Sequence, residues 1–211
     1  MQFKSILFDM DGVLVLSEPL HYQAWQEALK QLTVPADILA VDDIIGHTDR
    51  QIAQNVAIRG NTTINEEQIF ELKQDGFLQI IKNGLEAVPG RNEFLQHLNG
   101  KVPMAVISSS GRKEIEAVLN QESIADNFRF YIGFEDTSEH KPDPAPYLLA
   151  MKKLDKVAAD CLIIEDSPSG VQAARASGCS VAGLNTSGLL KEEMGIPLFS
   201  NYHEILQWLQ K

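Results

Sequence analysis

Cysteine is nearly absent from this sequence: Cys161 and Cys179 are the only two among 211 residues. Each sits in an apolar or small-residue stretch, so both are expected as buried thiols and not as a disulfide or a metal-binding pair. Basic residues are in the minority, with 18 Lys plus Arg against 29 Asp plus Glu and a formal net charge of −11. That balance argues against a nucleic acid or an anionic membrane surface as the main partner, and it requires any phosphate site to be locally positive. Long hydrophobic runs are missing as well. Met1 is followed by Gln2, Phe3 and Lys4 with no basic flank ahead of an extended apolar core, so neither a signal peptide nor a membrane span is expected. There is no internal repeat and no low-complexity tract. The expectation is a cytoplasmic monomer whose 44% hydrophobic and 22% charged residues suffice for one core plus a smaller satellite domain.

What the sequence does contain is an apolar run that ends abruptly in charge, Phe8-Asp9-Met10-Asp11-Gly12. Residues 3–8 read as a short strand. In an extended chain Asp9 and Asp11, two apart, point the same way, and Gly12 lets the backbone turn immediately afterwards. Two carboxylates so close suit a divalent cation, although a strand followed by an ordinary acidic turn has the same composition.

The next convincing strand is 102–108, far further on than the single helix a parallel crossover needs, so the interval holds an insertion with its own structure. The insertion reads as helical. Ser17-Glu18-Pro19 is a helix start, followed by a stripe of Leu20, Trp25, Ala28, Leu29 and Leu32 that stops at Val34-Pro35. Thr48-Asp49-Arg50-Gln51 has the form of a capping box, and Asn65-Glu66-Glu67-Gln68 is a looser version ahead of Ile69, Leu72, Phe77, Ile80 and Ile81. Val88-Pro89-Gly90 closes the insertion, which gives an all-helical domain over 16–87 and a core of 1–15 with 88–211. The core alternates helices 91–98, 111–121, 144–154 and 168–177 with strands 102–108, 128–133, 161–164 and one near Val181. A short strand within 196–200 and a helix over 202–209 finish the chain. The fold class is α/β: a doubly wound, Rossmann-like parallel sheet with an inserted all-helical cap domain.

In such sheets ligands bind outside the carboxyl ends of the strands. Those ends carry Asp9 and Asp11, then Ser108-Ser109-Ser110, then Lys141-Pro142-Asp143 ahead of the 144–154 helix, and Glu165-Asp166-Ser167. Singly, each has an ordinary explanation as a strand end or helix cap. Together they set several carboxylates, a hydroxyl and one ammonium on one rim, which implies a cation with anion contacts opposite it.

These residues resemble the haloacid dehalogenase-like hydrolases, in the branch with a helical cap after the first motif. Asp9-Met10-Asp11-Gly12-Val13 is similar to the first motif, Ser108 to the second, Lys141 to the third and Glu165-Asp166 to the fourth. The resemblance covers nearly the whole chain. It implies that Asp9 is the nucleophile, forming a transient aspartyl phosphate, and that Asp11 is the general acid and base. It implies Mg²⁺ held by Asp9, the Asp11 backbone carbonyl and Asp166, with Glu165 either a ligand or a neighbour of the metal, and phosphoryl oxygens held by Ser108, Ser109 and Lys141. In the cap, the substrate positions to inspect are His21, Trp25, Gly46, His47, Arg50 and Lys73. Gly46-His47-Thr48 looks like the family's substrate loop, and Trp25 equally suits the helical core.

The resulting expectation is a Mg²⁺-dependent phosphatase for a small phosphorylated metabolite, a sugar phosphate. The alternative is phosphoryl transfer between sugar hydroxyls of the β-phosphoglucomutase type, for which Arg50 and Lys73 would have to hold a second phosphate. Dehalogenase chemistry needs neither Asp11 nor Asp166, and a non-catalytic binding protein would have no use for every motif residue.

Overall fold

Buried apolar side chains become continuous at the start of the first strand. In a computed structural model, which describes residues 2–39, 48–60 and 64–210, β1 is Ser5–Phe8 with all four residues buried. It is followed by β2 (Met104–Ile107), β3 (Tyr131–Ile132), β4 (Cys161–Glu165), β5 (Ser180–Leu184) and β6 (Leu198–Phe199). Their order across the sheet is β3-β2-β1-β4-β5-β6, and every neighbouring pair is parallel. β1, β2 and β4 are buried along their whole length, which is why they read as near-continuous apolar runs and not as alternating ones. The helices among the described residues are α1 (Glu18–Gln31), α2 (Asp49–Arg59), α3 (Glu66–Ile80), α4 (Arg91–Leu98), α5 (Arg112–Gln121), α6 (Ala145–Leu154), α7 (Pro168–Ala176) and α8 (Tyr202–Leu209). This is the doubly wound parallel architecture expected of the sequence.

The strand expected over 128–133 is shorter than its pattern, because it lies at the sheet edge and pairs only through Val106 with Tyr131 and Ile107 with Ile132. Phe128 instead sets its ring edge-on against Phe8, 5.7 Å between centroids. Among the described residues no helix is long and apolar enough to cross a membrane.

The chain divides into two units, one of Met1–Leu16 with Glu86–Lys211 and the other of Ser17–Leu85. In the first, Leu7, Ile107, Tyr147, Cys161, Ile163 and Val171 belong to one buried cluster, and both cysteines are buried free thiols. Where the chain leaves and returns, the Leu16 amide donates to the Glu86 carbonyl at 2.8 Å, and Val15 makes an antiparallel bridge to Ala87. In the second unit, Trp25, Leu29, Ile52, Val56, Ile69 and Phe70 form the core. α2 begins in the expected capping box, with the Gln51 amide donating to Thr48 Oγ1 and the Thr48 amide to Gln51 Oε1. α3 begins at Asn65, whose side chain accepts from the Gln68 amide.

β1 is the point from which the sheet grows in both directions, β2 and β3 on one side and β4 to β6 on the other. Phe8 stands in register with both Val106 and Ile164, so the residues that follow these three strands emerge at one level.

Candidate active site

After β1 the chain continues the ladder for one residue, the Asp9 amide donating to the Ile164 carbonyl at 3.0 Å, and then folds back. The Met10 carbonyl accepts from the amides of Val13, Leu14 and Val15. Gly12 sits at φ +75, and a Cβ on it would lie 2.0 Å from Asp166 Oδ2. Only glycine permits both the backbone conformation and the approach of that carboxylate.

Lys141 reaches under this turn. Its Nζ donates to Asp9 Oδ1 at 2.5 Å, to Glu165 Oε1 at 2.6 Å and to the Ile107 carbonyl at 2.9 Å. Burial alone would discharge the ammonium, but Asp9 and Glu165 outweigh it and hold the Lys141 pKa well above the ordinary lysine value. Asp9 moves upward from the usual carboxylate range, chiefly through burial, with Glu165 and Asp11 adding repulsion and Lys141 opposing both.

Glu165 is fully buried and receives hydrogen bonds from Lys141 Nζ, Tyr147 Oη, the amides of Asp166 and Ser167, and Ser167 Oγ. Its backing is equally tight, since a Cβ on Gly170 of α7 would stand 1.9 Å from Glu165 Oε1. The carboxylate therefore ties Lys141 to the start of α7, where Ser167 caps the Gly170 amide.

Asp11 is half-buried, and its Oδ2 accepts from Ser108 Oγ at 3.3 Å and Ser110 Oγ at 2.9 Å. Ser108 Oγ also accepts from the Ser110 amide. Asp9, Glu165 and Asp166 are all buried and bring one oxygen each within 4.8 Å of one another. With Asp11, whose charge repels that of Asp9, these make four carboxylates, of which Lys141 pairs with Asp9 and Glu165, an excess of negative charge made of hard oxygen donors. That donor set fits a divalent cation such as Mg²⁺.

The strand-end residues Asp9, Asp11, Ser108, Lys141, Glu165 and Asp166 thus stand together. Ser109 lies between the two serines that hold Asp11, half-buried where its neighbours are buried. Tyr147, Thr186 and Ser187 are not singled out by the sequence, which marks Ser110 only as part of the serine run at a strand end. Thr186 Oγ1 lies 3.5 Å from Asp166 Oδ2, and Ser187 Oγ donates to the Asp166 carbonyl at 2.9 Å. For Ser110 a signal existed, because side chains two apart in an extended segment share a face with Ser108.

In the helical unit, Asp49 gathers the expected residues, although its sequence context marked only a helix start. It accepts from Trp25 Nε1 at 3.1 Å and pairs with Lys73 Nζ, which lies 2.8 Å from His21 Nδ1. The His21 ring stacks on Phe77 with centroids 4.0 Å apart. Arg50 makes a forked pair with Glu67 and lies over the Phe70 ring. Gly46 and His47 fall outside the described residues.

Comparison with known proteins gives the family and the fold. Residues 6–184 match the family model described as haloacid dehalogenase-like hydrolase. The fructose-1-phosphate phosphatase YqaB of Escherichia coli is 27% identical over 84% of this chain and 94% of its own length. A phosphorylated carbohydrates phosphatase of Thermotoga maritima is 27% identical over 99% of both chains. The crystal structure of CbbY from Rhodobacter sphaeroides in complex with phosphate shares the fold, with a TM-score of 0.85 at 22% identity over 96% of each chain. On the family match and on the sheet that brings its motifs together, the chain belongs to the haloacid dehalogenase-like hydrolases.

Proposed function

We propose that this phosphoric monoester hydrolase removes the phosphoryl group from a small phosphorylated metabolite, a sugar phosphate, through an aspartyl-phosphate intermediate on Asp9. The observation that carries this reading is the buried contact of Lys141 with Asp9 at 2.5 Å, directly beside Asp11 with its two serine hydroxyls. An anionic nucleophile approaches an anionic phosphate only where positive charge compensates both.

In this reading an Asp9 carboxylate oxygen forms a bond to phosphorus as the bond to the sugar oxygen breaks. Asp11 gives its proton to that leaving oxygen, then takes one from the water that attacks the aspartyl phosphate, and inorganic phosphate departs. Ser108, the Ser109 amide and Lys141 hold phosphoryl oxygens. Asp9, the Asp11 main-chain carbonyl and Asp166 would hold Mg²⁺, which would supply charge neutralisation at the transferring group. Glu165 already accepts from five donors, so its part is to hold Lys141 and the start of α7.

The names of the Escherichia coli and Thermotoga maritima relatives support a phosphorylated sugar as substrate. Hydrolysis is favoured over transfer between sugar hydroxyls by the cap cations. Arg50 is paired with Glu67 and Lys73 with Asp49, so neither carries uncompensated charge for a second phosphate. Free, buried thiols suit a reducing, cytoplasmic setting.

Phosphorus NMR with Mg²⁺ and separate sugar phosphates, including β-glucose 1-phosphate primed with its bisphosphate, tests the proposal. Growth of inorganic phosphate is expected. Conversion to glucose 6-phosphate without inorganic phosphate would replace hydrolysis by the mutase reaction.

A further inference from the structure

Three consecutive main-chain carbonyls just after Asp11 are each held by a side chain from a different part of the first unit. Thr186 Oγ1 donates to the Gly12 carbonyl at 2.6 Å, Tyr202 Oη to the Val13 carbonyl at 2.9 Å and Arg91 Nη1 to the Leu14 carbonyl at 3.1 Å. Thr186 follows β5, Tyr202 opens α8 and Arg91 opens α4. Arg91 and Tyr202 are 2% and 1% exposed, so neither contact competes with bulk water. Two of the donors are themselves braced. Arg91 pairs with Glu122 at 2.9 Å and with the Asn92 side chain, and the Tyr202 ring packs on Phe94 with centroids 4.7 Å apart.

A segment reversed through a positive φ leaves the regular ladder, and its carbonyls must find partners elsewhere. Here each carbonyl has a side-chain partner, that of Leu14 sharing its place with the Val88 amide at 3.2 Å, and these side chains fix the piece of backbone whose first residue is Asp11. Thr186 is placed to act on both halves of the carboxylate cluster, because it binds the Gly12 carbonyl and lies 3.5 Å from Asp166 Oδ2. Its neighbour Ser187 holds the Asp166 carbonyl. Mg²⁺ tolerates little departure from octahedral geometry, so the separation of the Asp11 turn from Asp166 governs how well the oxygens fit it.

We propose that Thr186, Tyr202 and Arg91 are positioning residues that clamp the main chain after Asp11 and so set the affinity of the site for Mg²⁺, with Thr186 acting most strongly. The inference rests on the Mg²⁺ site of the proposed function. None of the three touches the reacting atoms in that reading.

Isothermal titration of Mg²⁺ into the wild-type protein and into T186V, T186S and Y202F tests it, with circular dichroism to check folding. T186V should bind Mg²⁺ about tenfold more weakly, the lower end of what loss of a residue supporting a metal ligand costs. T186S keeps the hydroxyl and should restore binding, and Y202F should weaken it by roughly two- to threefold, since its contact lies one residue further from Asp11. At saturating Mg²⁺, kcat should move less than the Mg²⁺ dissociation constant. Folded T186V and Y202F proteins that bind Mg²⁺ as the wild type does would overturn the clamp. Should T186V fail to fold, Y202F decides alone, because its ring still fills the same space. A wild-type protein that binds no Mg²⁺ would overturn the metal reading itself, a separate outcome visible before any variant is compared.

Discussion

Gly12 and Asp166 are packed so closely that a single added carbon on the glycine would stand 2.0 Å from the aspartate Oδ2. Gly12→Ala therefore combines a left-handed backbone strain of about 1–2 kcal/mol with displacement of a proposed metal ligand. Turnover should fall by about a hundredfold or more, the upper range for disturbing a metal-ligand shell, while the melting temperature drops only modestly. Steady-state kinetics beside a thermal melt would check it, and activity near the wild-type level would show that Asp166 can move without consequence.

Lys141→Met removes the cation between Asp9 and Glu165 and leaves buried carboxylates uncompensated, at a cost of about 3–5 kcal/mol. Burial already raises the Asp9 pKa, so its ionised form is the expensive one, and the penalty shrinks as pH falls and Asp9 takes up a proton. The Lys141 pKa is raised in the fold. Its contribution to wild-type stability is therefore complete below the ordinary lysine pKa and is lost as pH rises through the folded value. Urea denaturation at about pH 8 and about pH 5 should show the larger wild-type-to-variant gap at the higher pH. Equal gaps would contradict this account.

Tyr147→Phe deletes only the hydroxyl that donates to Glu165 Oε1 at 2.6 Å. The remaining donors still satisfy the carboxylate oxygens, so the expected loss is about 1–3 kcal/mol of stability. Because Glu165 orients Lys141, kcat should fall several-fold with KM little changed. An unchanged kcat in a destabilised protein would confine Tyr147 to packing.

Lys73→Met should destabilise the helical unit by about 3 kcal/mol, since it strands the Asp49 carboxylate that Lys73 pairs with while itself fully buried. The double variant with Asp49→Asn should recover part of that loss, because the two residues act as a pair. Additive losses in a double-mutant cycle would mean that the pairing contributes nothing.

The parallel sheet was legible because β1, β2 and β4 are continuous apolar runs with charged or hydroxyl residues directly behind them. Asp9, Ser108 and Glu165-Asp166 could be read for the same reason: each follows a strand whose end the sequence marks by a change from apolar to polar. Thr186 and Ser187 follow β5 in the same way, and Leu184 gives way there to polar Asn185, but the strand is expected only near Val181, with no end assigned to it. Asp49 was hidden by its local role. Its position in the capping box accounts for an acidic residue at a helix start, and only the packing of α1 and α3 brings Trp25 and Lys73 to it. Tyr147 looked like one more apolar residue on α6, and nothing local reveals that its hydroxyl meets a carboxylate 18 residues away.

The Leu16 to Glu86 hydrogen bond sets the departing and returning strands side by side and antiparallel. Chains so aligned can be joined by a two-residue hairpin. The sixty-nine residues from Ser17 to Leu85 are, for the sheet, an oversized turn. Swapping them for another helical module, or for a plain turn, asks the sheet to give up no strand and change no register, which makes this junction a natural splice point.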